Sequence, residues 1–239
     1  MVLPFKNQGN WNVAYGIAGL IMAVILFSSF QKPKSHSSIP VESLSEKGSI
    51  KTLLTDPDFI MYCIVILCYE SAQQICSSWF PYYMENVLFA EPVIIATAGT
   101  CLWVGIAASR LLGSFILAKG VNPLAITTYG MLTSFITQLL AVATSNIPFT
   151  LAMMAVCGFA SGAVIPFFIV DVNNWYPGMG RLTSVMYILS ITLGRMIFPY
   201  LVTYVSSSVG LRSSLALFSL IFLSGSILAF IVKRRRISK

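Results

Sequence analysis

Four ionisable residues stand inside long apolar runs of this chain: Glu70, Arg110, Asp171 and Arg195. A charge at the centre of a membrane-spanning helix costs about 2.5–3.5 kcal/mol on insertion scales. Charges kept at that depth therefore face a bundle interior or a water-filled path and mark the route of an ion or solute. Around the first of them, Glu70, Gln74, Ser77 and Pro81 recur at helical spacing with Gln73 alongside, and this stripe runs into Trp79, Tyr82 and Tyr83. A carboxylate and two amides can hold a polar solute, and the carboxylate can also carry a proton. The aromatics at the end of the stripe read either as interfacial anchors or as groups that stack on a ligand. By helix rise, Glu70, Arg110 and Arg195 lie about 17, 12 and 21 Å from the same end of their helices, so an ion pair of Glu70 with either arginine is open. Such a pair either offsets the desolvation of two charges and fixes packing, or takes part in substrate or proton coupling.

The elements that must position these residues are helices. Of 239 residues, 56% are hydrophobic and 10% charged, and the mean hydropathy is +0.81; soluble domains carry roughly 25% charged residues. A bilayer core of about 30 Å needs about 20 helical residues. Runs over 11–30, 59–83, 92–118, 123–144, 148–171, 181–205 and 211–232 meet that length. The expected fold class is an all-α membrane protein of seven transmembrane helices. The expected domains are one helix in 1–30, a polar linker over 31–56, and a six-helix bundle over 57–239. Within the bundle the charges occupy the first and second helix of each triplet, the pattern of two inverted three-helix repeats. The third members, without mid-helix charge, are expected to face lipid.

The net charge of +7 does not point to nucleic acid, because the basic residues sit between apolar runs instead of forming a stripe with interleaved aromatics. They read as topology signals. With the N-terminus outside, the cytoplasmic side holds Lys32, Lys34, Lys47, Lys51, Lys119, Arg181, Lys233, Arg234, Arg235, Arg236 and Lys239, against Lys6 and Arg212 outside. A multi-pass protein of the cell membrane with its C-terminus cytoplasmic is expected, and the final basic run reads as a stop-transfer anchor.

Cys63, Cys68, Cys76, Cys101 and Cys157 all fall in apolar runs without paired spacing and read as core fillers. No cofactor and no metal site is expected. The one histidine, His36, lies in the linker, and neither G-x-x-x-x-G-K nor H-E-x-x-H occurs, so an enzyme is not expected. Two stripes of small residues suit close helix packing, Gly105, Ser109 and Gly113 on one run and Gly158 and Gly162 on another. Pro166 and Pro199 remove amide donors inside helices and mark bends.

The order Glu70, Trp79, Tyr82 or Tyr83, then Trp103, Gly105 and Arg110-Leu-Leu-Gly113, resembles the seventh and eighth helices of major facilitator superfamily transporters, above all those like the fucose and hexose permeases. Gly158 to Pro166, the loop Asn173-Asn174-Trp175-Tyr176-Pro177-Gly178, and Gly194 to Pro199 are similar to that superfamily's tenth and eleventh helices with their short inner loop. The resemblance implies a chain spanning helices six to twelve, with helices one to five of the transporter absent from it. It implies secondary transport of a small polar solute such as a sugar by alternating access, with Glu70, Gln73, Gln74, Trp79 and Arg110 as substrate or coupling candidates and proton symport as an option; Arg195, which the family pattern does not supply, joins them on its mid-helix charge. Asp171, Asn173, Asn174, Trp175 and Arg181 become candidates at the inner gate. The polar face of a half bundle would need an N-terminal half or a second copy to cover it, besides lipid. The alternatives are an inactive membrane fragment and a seven-helix interaction protein, although the triplet pattern and the long linker argue against the latter.

Overall fold

The computed structural model describes residues 50–237 and, before them, positions 16, 19, 20, 23, 24 and 27, which are helical. The rest of the run 11–30, residues 31–49 and the last two residues lie outside the described residues, and with them most of the expected first helix and linker. The chain divides into two compact units, residues 1–45 and 46–239. All that follows concerns the second.

The described part of that unit is entirely helical: α1 (Ile50–Thr55), α2 (Pro57–Asn86), α3 (Pro92–Ala118), α4 (Pro123–Ala143), α5 (Ile147–Ser161), α6 (Val164–Trp175), α7 (Gly180–Val209) and α8 (Leu211–Ile237). The starts are written in local chemistry. Pro57, Pro92, Pro123 and Pro148 each fall in the first turn, where a missing amide hydrogen costs nothing. The side chains of Asp56, Asn122 and Asn146 cap three of these helices, accepting from the amides of Asp58 (2.9 Å), Leu124 (2.9 Å) and Phe149 (3.0 Å). Between α7 and α8 the chain reverses on one residue, Gly210, at φ 81°, where a side chain would be strained.

The stretch Ile50–Thr55 lies at the C-terminal edge of the expected linker. It is a short helix that buries Leu53, because Leu53 finds an apolar surface that the sequence pattern of the linker does not reveal.

α5 and α6 form one span, Ile147–Trp175, broken at Gly162–Ala163. Pro166 has no amide hydrogen to give the Gly162 carbonyl four residues earlier, so the helix opens there. That carbonyl accepts instead from Arg110 Nε at 3.4 Å. Among the described residues six spans are thus long and apolar enough to cross a membrane: α2, α3, α4, α5–α6, α7 and α8 as far as Arg236. The protein is an all-α, multi-pass membrane helical bundle.

α2 is the axis of the bundle. In its most apolar stretch 72% of residues are buried, against 29% in α3 and 17% in α7. It packs on α8, α7 and α3, while α4 packs on α8 and α5, and α3 on α5. Backbone contact at glycines sets these distances. A Cβ on Gly105 would lie 2.3 Å from the Ala155 carbonyl oxygen, one on Gly158 2.1 Å from that of Leu102, and one on Gly162 2.8 Å from Ile106 Cα and from Ser109 Cβ. The two small-residue stripes therefore face one another across a single interface, α3 on α5. Gly113 sits at its end in ordinary contact with Phe167. The largest uncovered faces belong to α3 and α7, not to the third members α4 and α8, which pack against each other. A count of charges per helix does not register that mutual packing.

Candidate functional site

Glu70 sits near the middle of α2 and is 1% exposed. Its Oε2 accepts from Arg195 Nε at 2.7 Å, while the Arg195 side chain is 49% exposed on α7. Of the two arginines open to it, Glu70 pairs with Arg195. The cause lies one residue earlier: a Cβ on Gly194 would meet the Leu67 carbonyl at 2.7 Å and Ser71 Oγ at 2.8 Å, so α7 touches the α2 backbone there and delivers Arg195 beside Glu70. Arg110, exposed on α3, and Tyr187 of α7 lie within electrostatic reach of the same carboxylate.

Around this pair, polar atoms are buried without partners. Glu70 Oε1, Gln73 Oε1 and the Tyr69 hydroxyl have no hydrogen bond among the described residues. Such atoms cost about 1–3 kcal/mol each and are rare in folded proteins, so three on one helical turn mark a site. Gln74, half-buried one turn along, donates from Nε2 to Ser78 Oγ at 2.9 Å. From there a groove of about 580 Å³ runs between α2 and α7, lined by Ser78, Trp79, Tyr82, Pro199, Tyr200, Thr203 and Ser206. Trp79 and Tyr82 meet edge to face at 5.6 Å along it. Of the substrate candidates, Glu70 and Arg195 meet where α2 touches α7, Gln74 bonds the groove residue Ser78, Trp79 lines that groove, Gln73 is buried on α2, and Arg110 stands on α3.

The gate candidates do not form one constellation. Asp171 is buried and accepts from the Tyr62 hydroxyl at 2.9 Å. Asp171, Asn174 and Trp175 line one 420 Å³ cleft toward α4 and α8, whereas Asn173 lines a separate 180 Å³ cleft between α6 and α7. Arg181 is exposed at the start of α7. Trp175 carries the Arg236 guanidinium over its ring at 4.2 Å, a cation–π contact.

Arg236 belongs to a cluster that was not among the sequence candidates. It binds Asp56 Oδ2 at 2.8 Å, approaches Asp58 Oδ2 at 3.4 Å and donates to the Tyr176 hydroxyl at 3.0 Å, while Arg235 lies 3.7 Å from Asp58 Oδ1. The Tyr176 hydroxyl donates in turn to Asp56. Burial, and then the Asp56 carboxylate, push the Tyr176 hydroxyl above the ordinary tyrosine range. Aspartates at a helix N-terminus and arginines at a C-terminus each complement their own helix dipole, and here the two ends are joined. The Asp56-Pro57-Asp58 start was the available signal. At the opposite end Arg212 plays a similar part, reaching the Tyr83 hydroxyl (3.1 Å), the Thr144 carbonyl (3.0 Å) and Ser145 Oγ (2.8 Å).

The five cysteines are free, and all but Cys101 are buried. No group of three or more metal-ligating side chains occurs among the described residues. No protein-family model matches the chain, and no curated protein matches it either.

Proposed function

We propose that this bundle is the C-terminal half of a major-facilitator-type secondary transporter, moving a small polar solute by alternating access and doing no covalent chemistry. The observation that carries the reading is the Glu70–Arg195 pair at mid-span, half-open where α2 meets α7, the same two helices that line a groove of hydroxyls and aromatics further along. An arginine 49% exposed at that depth is costly in lipid, which supports a face that borders water or a second bundle. The poor cover of α3 and α7 fits the same reading, with those helices flanking the interface to another half.

An inverted repeat is supported by how the interfaces correspond. Exchanging the triplets α2, α3, α4 and α5–α6, α7, α8 turns the α2–α7 contact into α5–α3 and the α2–α8 contact into α5–α4, and leaves α4–α8 unchanged. All five interfaces are present. The basic residues favour the end carrying Asp56, Trp175 and Arg236 as the cytoplasmic one.

The test is uptake into vesicles holding the chain together with the half or second copy that completes it, over a panel of sugars and other small polar solutes. Glu70→Gln is expected to abolish coupled accumulation. Unaltered pH-dependent uptake by that variant would defeat the assignment.

A further inference from the structure

α3 and α4 both pack on α5 but barely on one another, and the gap between them is an apolar groove of 510 Å³. Gly113, Gly130, Ala160 and Ala163 keep it hollow, while Leu112, Tyr129 and Phe159 stand exposed along it. Its lining runs from Ala125 to Thr133 on α4 and from Val156 to Phe167 on α5–α6. At 1.5 Å per residue these stretches rise about 12 and 17 Å. That is close to the depth of one leaflet, half of a bilayer core of about 30 Å.

At Val121 the groove meets the 420 Å³ cleft at the Trp175 end of the bundle, for Val121 lines both. Two cations line that cleft. Arg236 is engaged by Asp56 and Asp58, whereas Lys233 forms no ion pair with a described carboxylate. Its ammonium lies 5.5 Å from the centroid of the Tyr129 ring, which belongs to the groove. Asp171, the one carboxylate lining the cleft, accepts from the Tyr62 hydroxyl at 2.9 Å. This end of the bundle is positive as a whole: among the described residues Lys51, Lys119, Arg181 and the basic run 233–236 stand against Asp56, Asp58 and Asp171.

An apolar groove one leaflet deep, with an unmatched ammonium where it opens toward the head groups, complements an amphiphile with a negative head. Basic pockets between membrane helices hold anionic head groups in this way. A zwitterionic lipid would fill the groove but bring its own cation to Lys233. We propose that groove and cleft together seat one anionic phospholipid, with an acyl chain between α3, α4 and α5 and the head-group phosphate on the Lys233 ammonium. The site is independent of the transport reading.

The full chain is reconstituted in phosphatidylcholine vesicles with a trace of phosphatidylglycerol or phosphatidylcholine carrying a diazirine on one acyl chain, and the positions of photo-insertion are mapped by mass spectrometry. Ile227 is the reference. It is exposed on α8, one turn before Phe230, whose ring carries the Arg234 guanidinium at 4.7 Å, so it reports ordinary lipid near a basic end. Insertion at Leu112, Tyr129 and Phe159 relative to Ile227 is expected to be about fivefold higher for the glycerol probe than for the choline probe, the effect of one basic residue on an anionic lipid. Lys233→Gln should erase the difference, and Lys233→Arg should keep it. Excess water-soluble glycerol phosphate should leave the probe in place, because it cannot fill the groove. Equal insertion of the two probes, or a preference that survives Lys233→Gln, means ordinary boundary lipid and overturns the proposal. Displacement by glycerol phosphate overturns it too, by making the cleft an anion site alone.

Discussion

Glu70 and Arg195 are unequal partners, and the inequality has consequences. Glu70 is buried at 1% exposure, while half of the Arg195 side chain is open. Removing one member of a buried pair costs about 3–5 kcal/mol when it strands the other charge away from solvent. Arg195→Gln strands the buried carboxylate and is expected to approach that cost. Glu70→Gln strands only the half-open arginine and should cost clearly less, as equilibrium unfolding in detergent would show; equal losses would mean that the two side chains are equally buried. Which arginine Glu70 would choose was not legible in the sequence. Depth along the helices admitted both Arg110 and Arg195, and the choice is made by the close approach at Gly194, a fact about helix rotation. At the other cluster, Tyr176 gives a pH dependence with a definite sign. Its hydroxyl is held above the ordinary range, so the folded state keeps this proton while the unfolded chain loses it, and stability falls as pH rises past about 10. Tyr176→Phe should flatten that alkaline slope, measured by thermal unfolding between pH 8 and 11.

At the scale of elements, the α3–α5 interface depends on glycine backbones in contact. Gly158→Val places carbon where the Leu102 carbonyl stands, 2.1 Å from a Cβ, and overpacking of this kind costs about 1–3 kcal/mol. Gly113→Ala, whose Cβ would meet Phe167 at an ordinary 3.4 Å, should be nearly neutral in the same unfolding assay. Helix starts were legible because their chemistry is local: a proline in the first turn and an aspartate or asparagine cap define α2, α4 and α5 within a residue or two. The break at Gly162–Ala163 was legible in part, since Pro166 announced a bend but not the Arg110 side chain that satisfies the freed carbonyl. The α8–α2 cluster was not, because Arg236 and Asp56 are brought together only by the antiparallel packing of the first and last spans of the bundle. A double-mutant cycle of Arg236→Ala with Asp58→Asn is expected to show a coupling energy of about 0.5–3 kcal/mol; strict additivity would reduce the cluster to a surface contact.

For the molecule as a whole, a bundle whose most buried helix carries the carboxylate and whose least buried helix carries the arginine leaves a charged face uncovered. The major-facilitator reading assigns that face to an aqueous path between two halves, reached alternately from either side of the membrane. Sidedness of access to Gln74, one turn from the Glu70–Arg195 pair and half-buried, tests this most directly. A Gln74→Cys chain in sealed vesicles, together with the second half or copy that the reading calls for, is treated with a membrane-impermeant thiol reagent added to one side and then, in a separate preparation, to the other. Labelling above the parent chain from both sides is expected. Labelling from neither side, or from one side only under every condition of solute and pH, would contradict alternating access.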